Sequence, residues 1–133
     1  AMIVLDASAA LELLLRAAGH RSLVARTLAA GELLVAPHLL DLEVAHVLRR
    51  YVAGGAIMAS RAEQALADYD DLRIARYPHQ PLLRRIWQLR ENCTAYDAAY
   101  LALAEAAGAT LVTCDRRLAS VPGHRAKVEW FTA

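Results

Sequence analysis

The chain has 133 residues, 57% of them apolar, and a formal net charge of +1, which points to one domain spanning residues 1–133 with a single core. A balance this close to neutral excludes a global electrostatic pull on nucleic acid. No apolar run approaches the roughly 18 residues of a membrane span, so the apolar excess means either helices on both faces of a sheet or surface covered by a partner.

Met2-Ile3-Val4-Leu5 is continuously apolar and reads as a buried strand that stops at Asp6. Asp6-Ala7-Ser8 opens an Ala/Leu-rich helix to about Leu15, with Gly19 as its stop, and a second helix is expected over 21–30, ended by Gly31. Leu33-Leu34-Val35-Ala36 reads as a strand broken by Pro37. From His38 to about Ala53, Leu39, Leu40, Val44, Val47, Leu48 and Tyr51 recur at helical spacing, and Gly54-Gly55 ends the pattern. Ser60 is the expected N-cap of a helix to about Tyr69, and Leu72-Arg73-Ile74-Ala75 alternates like a strand. Pro78 and Pro81 bracket the entry to a helix through Leu89. A helix over 94–107, a strand at 110–113, a short helical turn after Asp115 and a last strand from Lys127 to Phe131 complete the chain. Strands separated by helices predict an α/β fold with a parallel sheet.

Fourteen of the fifteen basic residues are Arg, a count that a GC-rich coding bias explains as well as phosphate binding does. Cys93 and Cys114 form neither a C-x-x-C pair nor a metal-ligand spacing. With Met2 expected as the native start and no leader ahead of it, a reducing, cytoplasmic setting is expected, with Cys114 a small core residue.

Two strands end at acids, Asp6 and Asp115, and in open parallel sheets ligands bind at the carboxyl ends of the strands. Taken singly, Asp6 and Asp115 also read as helix N-caps, and Asp97 as a complement to the helix dipole. Glu43 shares a largely apolar helix face with Leu39 and Val47, so it needs a partner. One site explains all four acids together. Converging carboxylates repel unless a cation lies between them, and an all-oxygen set selects Mg²⁺ or Mn²⁺ over zinc. Such a cluster suits metal-assisted hydrolysis of a phosphodiester. Ser8 and Thr113, each two residues from a strand-end acid, are placed to support it; an ordinary strand residue is the other reading of Thr113.

The motifs Ile3-Val4-Leu5-Asp6-Ala7-Ser8-Ala9, Leu42-Glu43-Val44, Thr94-Ala95-Tyr96-Asp97-Ala98-Ala99-Tyr100-Leu101-Ala102-Leu103-Ala104 and Leu111-Val112-Thr113-Cys114-Asp115-Arg116-Arg117-Leu118 follow one another in a specific order and spacing. With them the chain resembles, over essentially its whole length, the PIN-domain ribonucleases, in particular the VapC-type toxins of bacterial toxin–antitoxin pairs. The resemblance implies a three-layer α/β/α sandwich around a parallel sheet of about four to five strands. It also implies an Mg²⁺- or Mn²⁺-dependent endoribonuclease acting on single-stranded RNA. Asp6, Glu43, Asp97 and Asp115 fall on its acidic positions and Thr113 on its hydroxyl position. A homodimer and a cognate VapB-type antitoxin are implied too, the antitoxin covering a hydrophobic groove and placing a basic side chain in the acidic pocket.

For holding RNA, Arg116 is the first candidate because it follows Asp115 directly. Arg49, Arg50, Arg84, Arg85, Arg90 and Arg117 read as solvated faces, and Trp87 and Trp130 as buried aromatics. A receiver-type phosphotransfer domain is excluded, since Ala7 and Ser8 follow Asp6 where a second acid is needed and Lys127 precedes rather than follows the last strand. A di-iron site needs two Glu-x-x-His motifs and only Glu43-Val44-Ala45-His46 is present. The non-enzyme alternative is a partner-binding component of a DNA-binding toxin–antitoxin complex with little catalytic role.

Overall fold

The computed structural model describes residues 1–15 and 21–132. Five strands, β1 (Met2–Leu5), β2 (Leu33–Pro37), β3 (Ile74–Tyr77), β4 (Thr110–Thr113) and β5 (Lys127–Trp130), form one all-parallel sheet in the order β3-β2-β1-β4-β5. The helices are α1 (Ala7–Leu15), α2 (Arg21–Thr27), α3 (Leu39–Ala53), α4 (Ala59–Asp71), α5 (Leu83–Gln88), α6 (Ala95–Ala107) and α7 (Arg116–Ala119). Successive side chains of a strand point to opposite faces, and Ile3, Val4 and Leu5 are all fully buried. Both faces of the sheet are therefore covered by helices, which is why the central strand is apolar without alternation. The outer strand β5 carries Lys127 and Glu129, charges that an edge tolerates and that discourage pairing with another chain.

Helix α6 accounts for much of the apolar excess. Ala98 through Ala104 are buried without a break, and the helix packs across β1, β2 and β4. Thr94 caps it, its Oγ1 accepting from the Asp97 N–H at 3.2 Å. Gly108 ends it in the left-handed region at φ 62°, a conformation that suits glycine. Arg85 ties α5 to α6 through Glu105 at 2.8 Å and also donates to the Gly123 carbonyl, so it is engaged within the fold rather than solvated.

Several boundaries differ from expectation. Strand β3 starts at Ile74, not Leu72, because α4 runs on through Asp71 and Leu72 caps it, its N–H bonded to the Tyr69 carbonyl. Ser60 is not the N-cap: α4 begins at Ala59, after Met58, without a side-chain cap. Pro37 does not break β2 but closes it; its partner is Tyr77 of β3, while the β1–β2 register extends only to Val35. The second helix ends at Thr27, and the expected stop at Gly19 lies outside the described residues. Trp87 and Trp130 are 66% and 44% exposed, contrary to expectation, because both lie on short outer elements.

Candidate active site

The strand order reverses direction at β1. From there β2 and β3 lie to one side and β4 and β5 to the other. Asp6 follows β1 and Asp115 follows β4, so two neighbouring strands deliver carboxylates at the topological switch point of the sheet.

Asp6 is held on every side. Its Oδ1 accepts from Ser8 Oγ at 2.8 Å and from the Ala9 N–H at 2.9 Å, which makes it the N-cap of α1 as well as a site residue. Its Oδ2 accepts from Thr113 Oγ1 at 2.5 Å. Thr113 is fully buried and also accepts from the Asp115 N–H at 2.9 Å, linking the two strand-end acids through one hydroxyl. Ser8 Oγ lies 3.2 Å from Thr113 Oγ1 and accepts from the Cys114 N–H at 2.9 Å, so one hydroxyl belongs to α1 and the other to β4. Burial pushes the Asp6 carboxyl up to about 6, with the charge of Asp115 adding to it and the Thr113, Ala9 and Ser8 hydrogen bonds opposing. The partly buried Cys114 thiol is pushed up to about 12, first by burial and then by the charges of Asp6 and Glu12, which favours the neutral thiol.

The other two acids come from helices. Asp97 sits in the first turn of α6. Glu43 of α3 is half-buried and accepts a short hydrogen bond from the Tyr100 hydroxyl, one turn beyond Asp97 on α6. Burial, and next the charge of Asp97, raise the Glu43 carboxyl above the usual range, while the Tyr100 bond lowers it. Arg117 then bridges two acids: Nη1 lies 2.6 Å from Asp97 Oδ2 and Nη2 lies 3.2 Å from Asp115 Oδ2.

The four acids are thus neighbours in a chain, from Asp6 through Thr113 to Asp115, through Arg117 to Asp97, and by charge to Glu43. They are not drawn into one compact cluster. Among the described residues, no three His, Cys, Asp or Glu side chains stand close enough around one point to hold an ion as arranged. Each carboxylate is turned to a donor instead: Asp6 to Ser8, Thr113 and the Ala9 N–H, Glu43 to Tyr100, and Asp97 and Asp115 to the shared Arg117. The acids present remain an all-oxygen set suited to a hard divalent cation, and Arg117 already marks the place where positive charge is accepted.

Tyr100 was given no role from the sequence, and Arg117, expected on a solvated face, is paired with two of the acids instead. Tyr100 carries a faint signal, three residues after Asp97 and so on the same helix face. Arg116, chosen for its proximity to Asp115, turns away; its guanidinium lies 5.8 Å from the centre of the Trp130 ring. His46 is exposed and lines, with Ala7, Leu39, Glu43, Arg50 and Tyr96, a cleft of about 640 Å³ beside the acids.

Asp6 gives the metal-free protein a characteristic pH dependence. Its folded-state pKa, about 6, lies above the unfolded value of about 3.9, so the folded chain binds more protons in between. Its stabilising contribution is whole below the unfolded value and is lost as pH rises through the folded one. Wild type is expected to lose stability relative to Asp6→Asn as pH rises from about 4 to about 6, read as denaturation midpoints without divalent ions. A pH-independent difference between the two proteins refutes it.

A family model described as PIN domain matches residues 3–124. The chain is 47% identical over 117 residues to a Mycobacterium bovis protein named VapC ribonuclease Mb0985, covering 88% of each. It is 46% identical over 121 residues to Ribonuclease VapC1 of Mycobacterium tuberculosis, covering 90% of each. Its fold superposes with a TM-score of 0.73 and 14% identity on a chain from the crystal structure of Rickettsia felis VapBC2 bound to a promoter DNA fragment, covering 98% of this chain and 99% of that one.

Proposed function

The chain belongs to the PIN-domain family, and we propose that it is a VapC-type toxin: an endoribonuclease that hydrolyses RNA phosphodiester bonds with Mg²⁺ or Mn²⁺ and is neutralised by a cognate VapB-type antitoxin. The observation that carries this reading is the pair of carboxylates, Asp6 and Asp115, at the carboxyl ends of adjacent parallel strands, with Asp97 tied to Asp115 through Arg117. The ribonuclease names of relatives at 46% and 47% identity support the activity.

Asp6, Glu43, Asp97 and Asp115 are the side chains we assign to the metal, and their oxygen-only chemistry fits a hard ion. When bound, such an ion acidifies an attacking water and stabilises the leaving oxygen. The chain supplies the rest. Ser8, Thr113 and the Ala9 N–H hold Asp6 in one orientation, and the Tyr100 hydroxyl does the same for Glu43. Arg116, stacked on the exposed Trp130, offers a phosphate contact beside a base-stacking surface, since Trp130 is in register with Thr113 at the same sheet edge. The cleft beside Glu43 gives an RNA strand access to the acids.

An apolar groove between α3, α5 and the start of α6, lined by Leu39, Leu42, Leu83, Ile86 and Tyr96, exposes surface suited to a protein partner, and we propose a homodimer in addition to the antitoxin complex. Among the described residues no helix is long and apolar enough to cross a membrane, and we propose a cytoplasmic site of action.

The test is cleavage of a panel of single-stranded and structured RNAs by the purified protein. Cutting is expected in Mg²⁺ or Mn²⁺, to stop with EDTA, and to leave 5′-phosphate ends. Cutting that persists in EDTA, or that leaves cyclic phosphates, overturns the hydrolytic metal-site reading. A folded protein that binds antitoxin but neither binds divalent ions nor cuts returns the chain to the partner-binding role.

A further inference from the structure

Given a metal site at these acids, as proposed above, we infer that Arg117 is a resident countercation of that site, which a divalent ion must displace from Asp97 and Asp115 before it binds. Three observations place it there. The guanidinium spans two carboxylates from different elements, Asp97 on α6 and Asp115 ahead of α7, at 2.6 and 3.2 Å. The backbone holds the residue in place, because the Arg117 N–H donates to Asp115 Oδ1 at 2.9 Å, in the N-cap turn of α7. The contact is also asymmetric in exposure: the Asp97 side chain is 14% exposed and that of Arg117 is 64%.

A cation whose side chain stands mostly in water while its tip neutralises a half-buried acid is suited to a reversible role. Exposed ion pairs are weak and easily screened, so this one keeps two neighbouring acids from repelling each other yet yields to a stronger competitor. A divalent ion on the same oxygens is such a competitor: it carries twice the charge and is itself repelled by the guanidinium. Among the described residues no other cation is ion-paired with the four acids. Arg117 thus sets the metal affinity of the site by competition. Once displaced, it stays tethered by its own backbone beside the acids, where phosphate oxygens of a bound RNA become its next partner. It is a positioning residue for the site, not a ligand of the metal.

Arg116 provides an internal control, because it carries the same charge on the same helical turn but stacks against Trp130. Mn²⁺ binding to the intact protein without RNA, followed by calorimetry and by the electron paramagnetic resonance of the free ion, reads the competition directly. Arg117→Gln is expected to bind Mn²⁺ about tenfold more tightly than wild type, and Arg116→Gln to stay within about twofold of it. Arg117→Lys keeps the charge, but a single ammonium does not bridge both carboxylates as the planar fork does. About threefold tighter binding is expected for it, and it decides the matter should the Gln variant fail to fold. Equal or weaker binding by the Arg117 variants, with wild type binding normally, overturns the countercation role and leaves the metal site standing. If neither wild type nor the variants bind Mn²⁺, the metal-site reading falls and takes this inference with it.

Discussion

An Asp97→Asn variant is expected to cut RNA at least about a thousandfold more slowly than wild type, because the loss of one metal ligand removes several kcal/mol of transition-state stabilisation. The same variant is expected to keep its fold. The cap of α6 uses the Asp97 backbone N–H, donated to Thr94 Oγ1, which the substitution leaves in place. What is lost is the ion pair with a 64%-exposed Arg117 and one charge near a helix N-terminus, together worth no more than about 1 kcal/mol after screening by solvent. Activity and stability are thus predicted to separate. Single-turnover cleavage at saturating Mn²⁺, alongside thermal melts, measures both. Cleavage within about tenfold of wild type removes Asp97 from the metal site.

Thr113→Val tests the link between the strand ends and is expected to affect both quantities at once. The shapes are nearly equal, but the fully buried hydroxyl donates to Asp6 Oδ2 and accepts from the Asp115 N–H. Valine leaves both without that partner, at a cost of about 2–3 kcal/mol in stability. Asp6, already raised to about 6 by burial, loses the hydrogen bond that most opposes that rise. Its protonated range therefore extends to higher pH, and the acid limb of the cleavage profile is expected to move up with it. Removing a residue that orients a ligand typically lowers activity about tenfold to a hundredfold. Thr113→Ser, which restores the hydroxyl, is expected to recover most of both losses. A valine variant with the wild-type pH profile shows that Asp6 is oriented without Thr113.

The sheet was legible in the sequence because parallel strands buried on both faces read as short, unbroken apolar runs. Ile3 to Leu5 and Leu111 to Val112 are such runs, each followed within a few residues by an acid. The four acids stood out in the sequence for a related reason, since a carboxylate at a strand end or on an apolar helix face needs a cause. Glu43 was correctly seen to require a partner, yet its partner was not visible: Tyr100 lies in an Ala/Leu-rich helix where it looks like any core aromatic. The choice between Arg116 and Arg117 was beyond sequence reasoning as well. Both follow Asp115, and the tight N-cap turn decides which guanidinium folds back to the acids and which crosses to Trp130. How the four acids orient was not legible either, because the sequence displays charges but not the donors each one turns to: Ser8 and Thr113 for Asp6, Tyr100 for Glu43, and Arg117 for Asp97 and Asp115.

The position of β1 between β2 and β4 also governs when the site comes into being. The central strand is the first to be synthesised, but its neighbour on one side is encoded more than a hundred residues later. Domains generally fold as units as they emerge during synthesis. A nascent chain made as far as Gly108 therefore holds Asp6, Glu43 and Asp97 but lacks the strand that pairs with β1 on that side, and with it Thr113 and Asp115. The two strand-end carboxylates thus become neighbours only once β4 has been made and has paired with β1.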